Sequence, residues 1–196
     1  MEETREEKIR QILAQEIQDG ESLAAEARKM VAYLLQEKKG YAAGDIRSGI
    51  AFEVKLGQET AWSSADFLVS ADGRTGMLIK CAAGSLSSRE RQVVAAARVI
   101  VSPPVPVAVV ADPVNAVVLD VSTGKVIGED FGAIPVKDQL RKILQEAVMQ
   151  PLSPERVEKE KRILLAFDAI QCSVPRGADG GVQIGEPEKE QKPKEP

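Results

Sequence analysis

Apolar and polar positions change period several times along the chain. Over residues 2–18, Ile9, Ile12, Leu13 and Ile17 recur at helical spacing among charges, which predicts an amphipathic helix. Asp19-Gly20 is expected to end it. Ser22 then caps a second helix reaching Lys38, with Leu23, Ala27, Met30, Val31, Leu34 and Leu35 on its apolar face. Lys38 and Lys39 offset the unpaired carbonyls of its last turn, and Gly40 closes it. From Ile46 the period becomes two: Ile50, Phe52, Val54 and Leu56 alternate with Ala51, Glu53 and Lys55, as in a half-buried strand. Residues 57–64 form a polar loop carrying Trp62. Phe67-Leu68-Val69 and Met77-Leu78-Ile79 are short buried strands, with Asp72-Gly73 between them as a hairpin turn.

Helical composition returns over 85–101, with Ser87 or Ser88 as cap and Glu90 in the first turn. Valine-rich strands are expected at 105–111 and 114–121, and a short one at Val126-Ile127 after the turn Ser122-Thr123-Gly124-Lys125. Two helices follow at 136–150 and 154–170, the second capped by Ser153 with Pro154 at its first position. The organisation predicted is an N-terminal amphipathic helix at 1–20, an α/β domain with a mixed sheet at 21–135, and C-terminal helices at 136–172. Those helices cover the sheet or pair two copies of the chain through Val157, Ile163, Leu164, Leu165 and Phe167. Residues 173–196 are rich in Gly, Pro, Glu and Lys, with too few apolar side chains to offset the entropy of ordering, and are expected to be a disordered tail.

A chain of 196 residues can build a real core, but with 4% aromatic residues Val, Ala, Leu and Ile must fill it. The net charge of −4 argues against a generally basic, nucleic-acid-coating surface and leaves room only for a local patch. The absence of histidine excludes His-based metal sites, His general bases and Ser-His-Asp triads. A charged beginning and no long apolar run predict no leader and no membrane partner, hence a cytoplasmic protein in which Cys81 and Cys172 are reduced thiols.

Several stretches, in this order and spacing, carry a resemblance. They are Glu26-Ala27-Arg28 with Leu34-Leu35 and Gly40-Tyr41, Ala65-Asp66-Phe67-Leu68-Val69, Leu78-Ile79-Lys80-Cys81-Ala82-Ala83-Gly84, Arg89 to Gln92, and the closing run from Leu119 to Val126. Together they resemble the N-terminal nuclease domain of the type I restriction enzyme R subunit, a branch of the PD-(D/E)xK nuclease superfamily. The resemblance implies a restriction-endonuclease-like mixed sheet flanked by helices, here with extra N- and C-terminal helices. It also implies DNA as partner and a divalent metal, usually Mg2+, held by a first-strand aspartate and a second-strand acid. A lysine two residues after that acid lies on the same side of the strand and orients or activates water.

Asp66 matches the family aspartate, and Gln92 the glutamine of a helix motif whose tyrosine position is Ala96 here. Aligning the small-residue ending puts Ile79 at the acid position and Cys81 at the lysine position. Slipping by one residue puts Lys80 at the lysine position and Leu78 at the acid position, turning the strand over. Neither register supplies the second carboxylate that a hard cation requires. The leading expectation is therefore a degenerate site with lost or weak nuclease activity and a nucleic-acid-associated or scaffold role. The alternative is an active endonuclease whose metal is held by Asp66 with Glu26 or Glu53, with Lys80 brought inward by a bulge. Arg89, Arg91 and Arg98 with Lys80 are candidates for a DNA-facing patch. With no motor segment and no Gly-x-x-x-x-Gly-Lys-Ser/Thr phosphate loop, the chain is expected to stand alone rather than to be a complete restriction subunit.

Overall fold

The structure, a computed structural model, describes residues 5–171. The face assigned to Ile9, Ile12, Leu13 and Ile17, the residue Cys172 and the tail assigned to 173–196 lie outside the described residues and side chains. Helix α1 (Arg5–Tyr33) runs on through a π-helical stretch at Leu34–Lys38. Strands β1 (Ile46–Leu56), β2 (Glu59–Ala71) and β3 (Arg74–Cys81) follow, then α2 (Glu90–Val99), β4 (Val107–Ala111), β5 (Ala116–Asp120), β6 (Val126–Glu129), α3 (Lys137–Glu146) and α4 (Pro154–Gln171). The six strands lie side by side in chain order. Every neighbouring pair is antiparallel except β3 and β4, which run parallel with α2 as the crossover between them.

Strand alternation gives the sheet two apolar faces. Met77, Ile79 and Cys81 of β3 and Val107, Val109 and Ala111 of β4 pack under α1 and α3, against Ala27, Val31, Leu35, Leu140 and Leu144. Leu78 and Ala82, with Ala108 and Val110, pack under α2 and α4, against Val93, Val94, Ala97 and Leu164. The C-terminal helices thus cover the sheet, one on each face. No helix among the described residues is long and apolar enough to cross a membrane.

Three expectations change. Asp19-Gly20 does not break α1. A lone helical glycine costs only about 1 kcal/mol, and a Cβ on Gly20 would already touch the Ala83 Cβ at 3.7 Å, so the helix passes close to the end of β3 here. Residues 59–64 are strand rather than loop: their inward positions, Ala61 and Ser63, are too small or polar to register as apolar alternation. Neither Ser87 nor Ser88 caps α2. Ser88 Oγ donates to the Ser85 carbonyl at 2.7 Å, and the residue before the helix is Arg89. Ser153 does cap α4, accepting from the Arg156 N–H at 3.3 Å.

The long β1–β2 hairpin changes the face it turns inward partway along. Ile46 packs in the core under α1, whereas Ile50, Phe52 and Val54 of the same strand pack in the core under α4. In β2 the same change falls between Ala65 and Phe67. It occurs at Gly49, whose φ of +64° suits only glycine comfortably, and at Asp66.

Candidate functional site

Asp66 stands where β2 peels away from β3. The ladder between the two strands ends at the pair Phe67–Ile79, and beyond it the Asp66 side chain takes over. Its Oδ2 accepts from the Cys81 N–H at 2.6 Å, in place of a β2 carbonyl. Its Oδ1 accepts from Arg28 Nη1 of α1 at 3.3 Å. The aspartate side chain is 17% exposed and the arginine 45%. Both carboxylate oxygens are therefore engaged by groups of the chain itself.

Lys80 is buried, at 7% exposure. Its Nζ donates to the Ser64 carbonyl at 2.9 Å and lies 3.3 Å from Ser64 Oγ, a second tie across the same fork. Burial, and then the Asp66 carboxylate, push the Cys81 thiol well above its ordinary pKa, while Arg28 and Lys80 oppose this. Asp66, Arg28 and Lys80 thus form one charged group around Cys81, and the thiol is held protonated and chemically quiet.

Strand alternation shows which β3 residues share the side of Asp66. The β2–β3 pairing ends at Phe67 with Ile79, and beyond it Asp66 meets β3 through the Cys81 amide. Ile79 and Cys81 face the core under α1, the helix that carries Arg28, whereas Leu78 faces the opposite core, so the acid position is apolar in either register read from the sequence. The irregularity in this pairing lies between Val69 and Ser70, toward the Asp72-Gly73 turn, and does not involve Lys80.

The other candidate acids do not join the group. Glu26 is exposed and sits two residues from Arg28 on α1, a spacing that points the two side chains to different sides of a helix. Glu53 pairs across the hairpin with Trp62, four residues from Asp66 and so about 13 Å along the strand; it forms an ion pair with Lys55 at 2.9 Å. No group of three or more histidine, cysteine or acidic side chains that could hold a metal occurs among the described residues. A divalent cation prefers several oxygen ligands. Asp66, with both oxygens engaged, paired with an arginine and near a protonated thiol, does not fit one.

Gln92 is fully buried in α2, and its Oε1 accepts from Arg89 Nη1 at 3.3 Å. The four basic residues read as a patch do not make one: Lys80 is buried, Arg89 and Arg98 are partly buried, and only Arg91 is exposed. Arg98 instead donates to the carbonyls of Val121 (Nε, 2.9 Å) and Ser122 (Nη2, 3.1 Å) and to Glu160 of α4 (Nη1, 2.9 Å). Sequence reasoning missed Glu160. The signal for it was the Arg156–Glu160 spacing of four, which forms a 2.7 Å ion pair. It also missed Ser64, whose main contribution is a backbone carbonyl and leaves no trace in the sequence.

A mixed sheet with helices on both faces, and an acid at the fork of its second and third strands, defines a restriction-endonuclease-like α/β module. The chain belongs to the family of type I restriction enzyme R protein N termini, whose model matches residues 24–135, from within α1 to just before α3. No curated protein and no solved structure gives a significant match.

Proposed function

We propose that this chain is a PD-(D/E)xK-type module in which metal-dependent DNA cleavage is lost or weak, and which acts by association, with nucleic acid or as a scaffold. One observation carries the reading: the carboxylate at the fork is bonded to the Cys81 amide and to Arg28, and the β3 positions that could supply a second acid, Ile79 and Leu78, are buried and apolar. A hydrolytic site of this kind would need two acids converging on a hard cation. Here the charged group is instead arranged to hold two strands together.

Incubation of the full chain with duplex and single-stranded DNA in Mg2+ and in Mn2+ tests this. The expected result is no cleavage above that of the Asp66→Asn variant. Cleavage by the parent chain that disappears in Asp66→Asn overturns the reading. Titration of labelled DNA in the same buffers then separates the two modes of association: saturable binding points to nucleic acid, and its absence to a scaffold.

A further inference from the structure

We propose that the chain holds a small organic acid, an apolar body carrying one carboxylate, in a cavity between α2, the β5–β6 turn and the segment joining α3 to α4, with Arg156 pairing with the acid. None of the residues lining this cavity belongs to the Asp66 fork, and the inference stands apart from the reading of that fork.

The cavity measures about 320 Å3, near the lower end of the roughly 300–1,000 Å3 that small-molecule sites occupy. Pro104, Val121, Met149 and Leu152 give it an apolar wall, against which an apolar body is released from water. Two guanidiniums border that wall, and they are engaged differently. Arg98, in the last turn of α2, directs Nε, Nη1 and Nη2 to the Val121 carbonyl, Glu160 and the Ser122 carbonyl, so it is a fixed part of the wall. Arg156, in the first turn of α4, bonds Glu160 through Nε alone, at 2.7 Å. Its Nη1 and Nη2 have no hydrogen-bond partner among the described residues, and the side chain is 49% exposed. A guanidinium edge in this state offers two N–H donors to a single carboxylate. The neighbouring acids do not cover that edge. Glu160 Oε1 already accepts from both arginines, and Asp120, which lies near Arg98, accepts through Oδ1 from Ser122 and Thr123 and does not line the cavity. An apolar wall beside one unpaired cation matches both halves of an apolar carboxylate, whereas an uncharged analogue matches the wall alone. Val148, 83% exposed, stands at the rim, where the cavity meets solvent.

Calorimetric titration and amide proton–nitrogen correlation spectra of the full chain with benzoate, naphthalene-2-carboxylate and octanoate test the proposal, with naphthalene-2-carboxamide as the uncharged control. At least one carboxylate should bind saturably, shift the amide signals of Val121, Ser122, Met149 and Leu152, and raise the unfolding temperature as its concentration rises. Arg156→Gln should weaken that carboxylate about tenfold, the worth of a charge-assisted hydrogen bond, and leave the weaker binding of the carboxamide unchanged. Val148→Asp, which sets a like charge at an exposed position on the rim, should also weaken the carboxylate alone, so the outcome does not depend on how Arg156→Gln folds. The proposal is overturned if no carboxylate binds, if the carboxamide binds as tightly, if the shifted signals lie away from the cavity, or if either variant binds the carboxylate as the parent does. DNA cleavage by the parent chain bears on the fork only and leaves each of these outcomes as it is.

Discussion

Removal of the Glu160 carboxylate should be among the more costly single substitutions in the chain. The side chain is 3% exposed and bonded to Arg98 at 2.9 Å and to Arg156 at 2.7 Å, joining α4 to α2 and to the β5–β6 turn. Breaking a buried pair from one side costs about 3–5 kcal/mol, because the remaining charge stays desolvated. Arg98 is only 10% exposed but keeps its bonds to the Val121 and Ser122 carbonyls, while Arg156, at 49% exposure, can turn to water. The low end of the range applies, and Glu160→Ala should cost about 3 kcal/mol. At roughly 2–4 °C per kcal/mol for a chain of this size, the midpoint falls by about 6–12 °C. Glu160→Gln keeps the volume and one acceptor oxygen and should lose less. Urea unfolding followed by circular dichroism measures both, with an unchanged m-value as the condition for comparison. A loss below about 1 kcal/mol for Glu160→Ala, the worth of an exposed pair, would refute the claim that this network anchors α4.

Three further outcomes are expected. A Cβ on Gly76 of β3 would lie 2.9 Å from Leu144 Cδ1 and 3.0 Å from Leu140 Cδ1 of α3, so Gly76→Ala should cost about 1–3 kcal/mol in urea titrations; adding Leu144→Ala, destabilising by itself, should then cost less than it does in the parent chain. Asp66→Ala orphans the Cys81 N–H and should lose about 2 kcal/mol, whereas Asp66→Asn keeps an acceptor and should lose less; equal losses would deny the carboxylate its strand-tying role. Asp45 is held below its ordinary pKa chiefly by the hydrogen bond from Lys137, and Asp72 chiefly by that from Arg141. The folded state therefore binds fewer protons than the unfolded one, and the stability involved is present above about pH 4 and lost as the pH falls through the folded values. Urea midpoints of Asp45→Asn and Asp72→Asn should decline less steeply than the parent's between about pH 4 and pH 2, and parallel curves would refute the assignment.

What the sequence disclosed follows from which interactions leave a periodic trace. Phe67, Val69, Met77 and Ile79 bury large side chains at period two, and Asp72 and Gly73 take the left-handed backbone (φ +51° and +76°) that such a pair favours in a tight hairpin, so both strands and their turn were legible. Residues 59–64 were not, because their partners are supplied by β1 across the ladder rather than by an apolar stripe of their own. The acid at 66 could be picked out as the candidate. Which β3 residues share its side could not, because register is a property of two strands together: the sequence left Ile79 and Leu78 both open, and only the folded alternation sets Ile79 and Cys81 on the side of α1. The ties to the Cys81 amide and the Ser64 carbonyl use backbone atoms, which every residue has.

The sequential order of the strands bears on how the chain is completed as it is made. Each of β2 to β6 finds its pairing partner already synthesised, so the ladders can form from the N-terminus onward. The inward face of the first hairpin is different. Phe52 and Val54 share a core with Leu164 of α4, the last helix described, so the earliest sheet surface waits for the latest element to shield it. Until α4 docks, that surface is the part of the nascent protein most exposed to unwanted association, and the Arg98–Glu160 pair is positioned to latch the cover once it arrives.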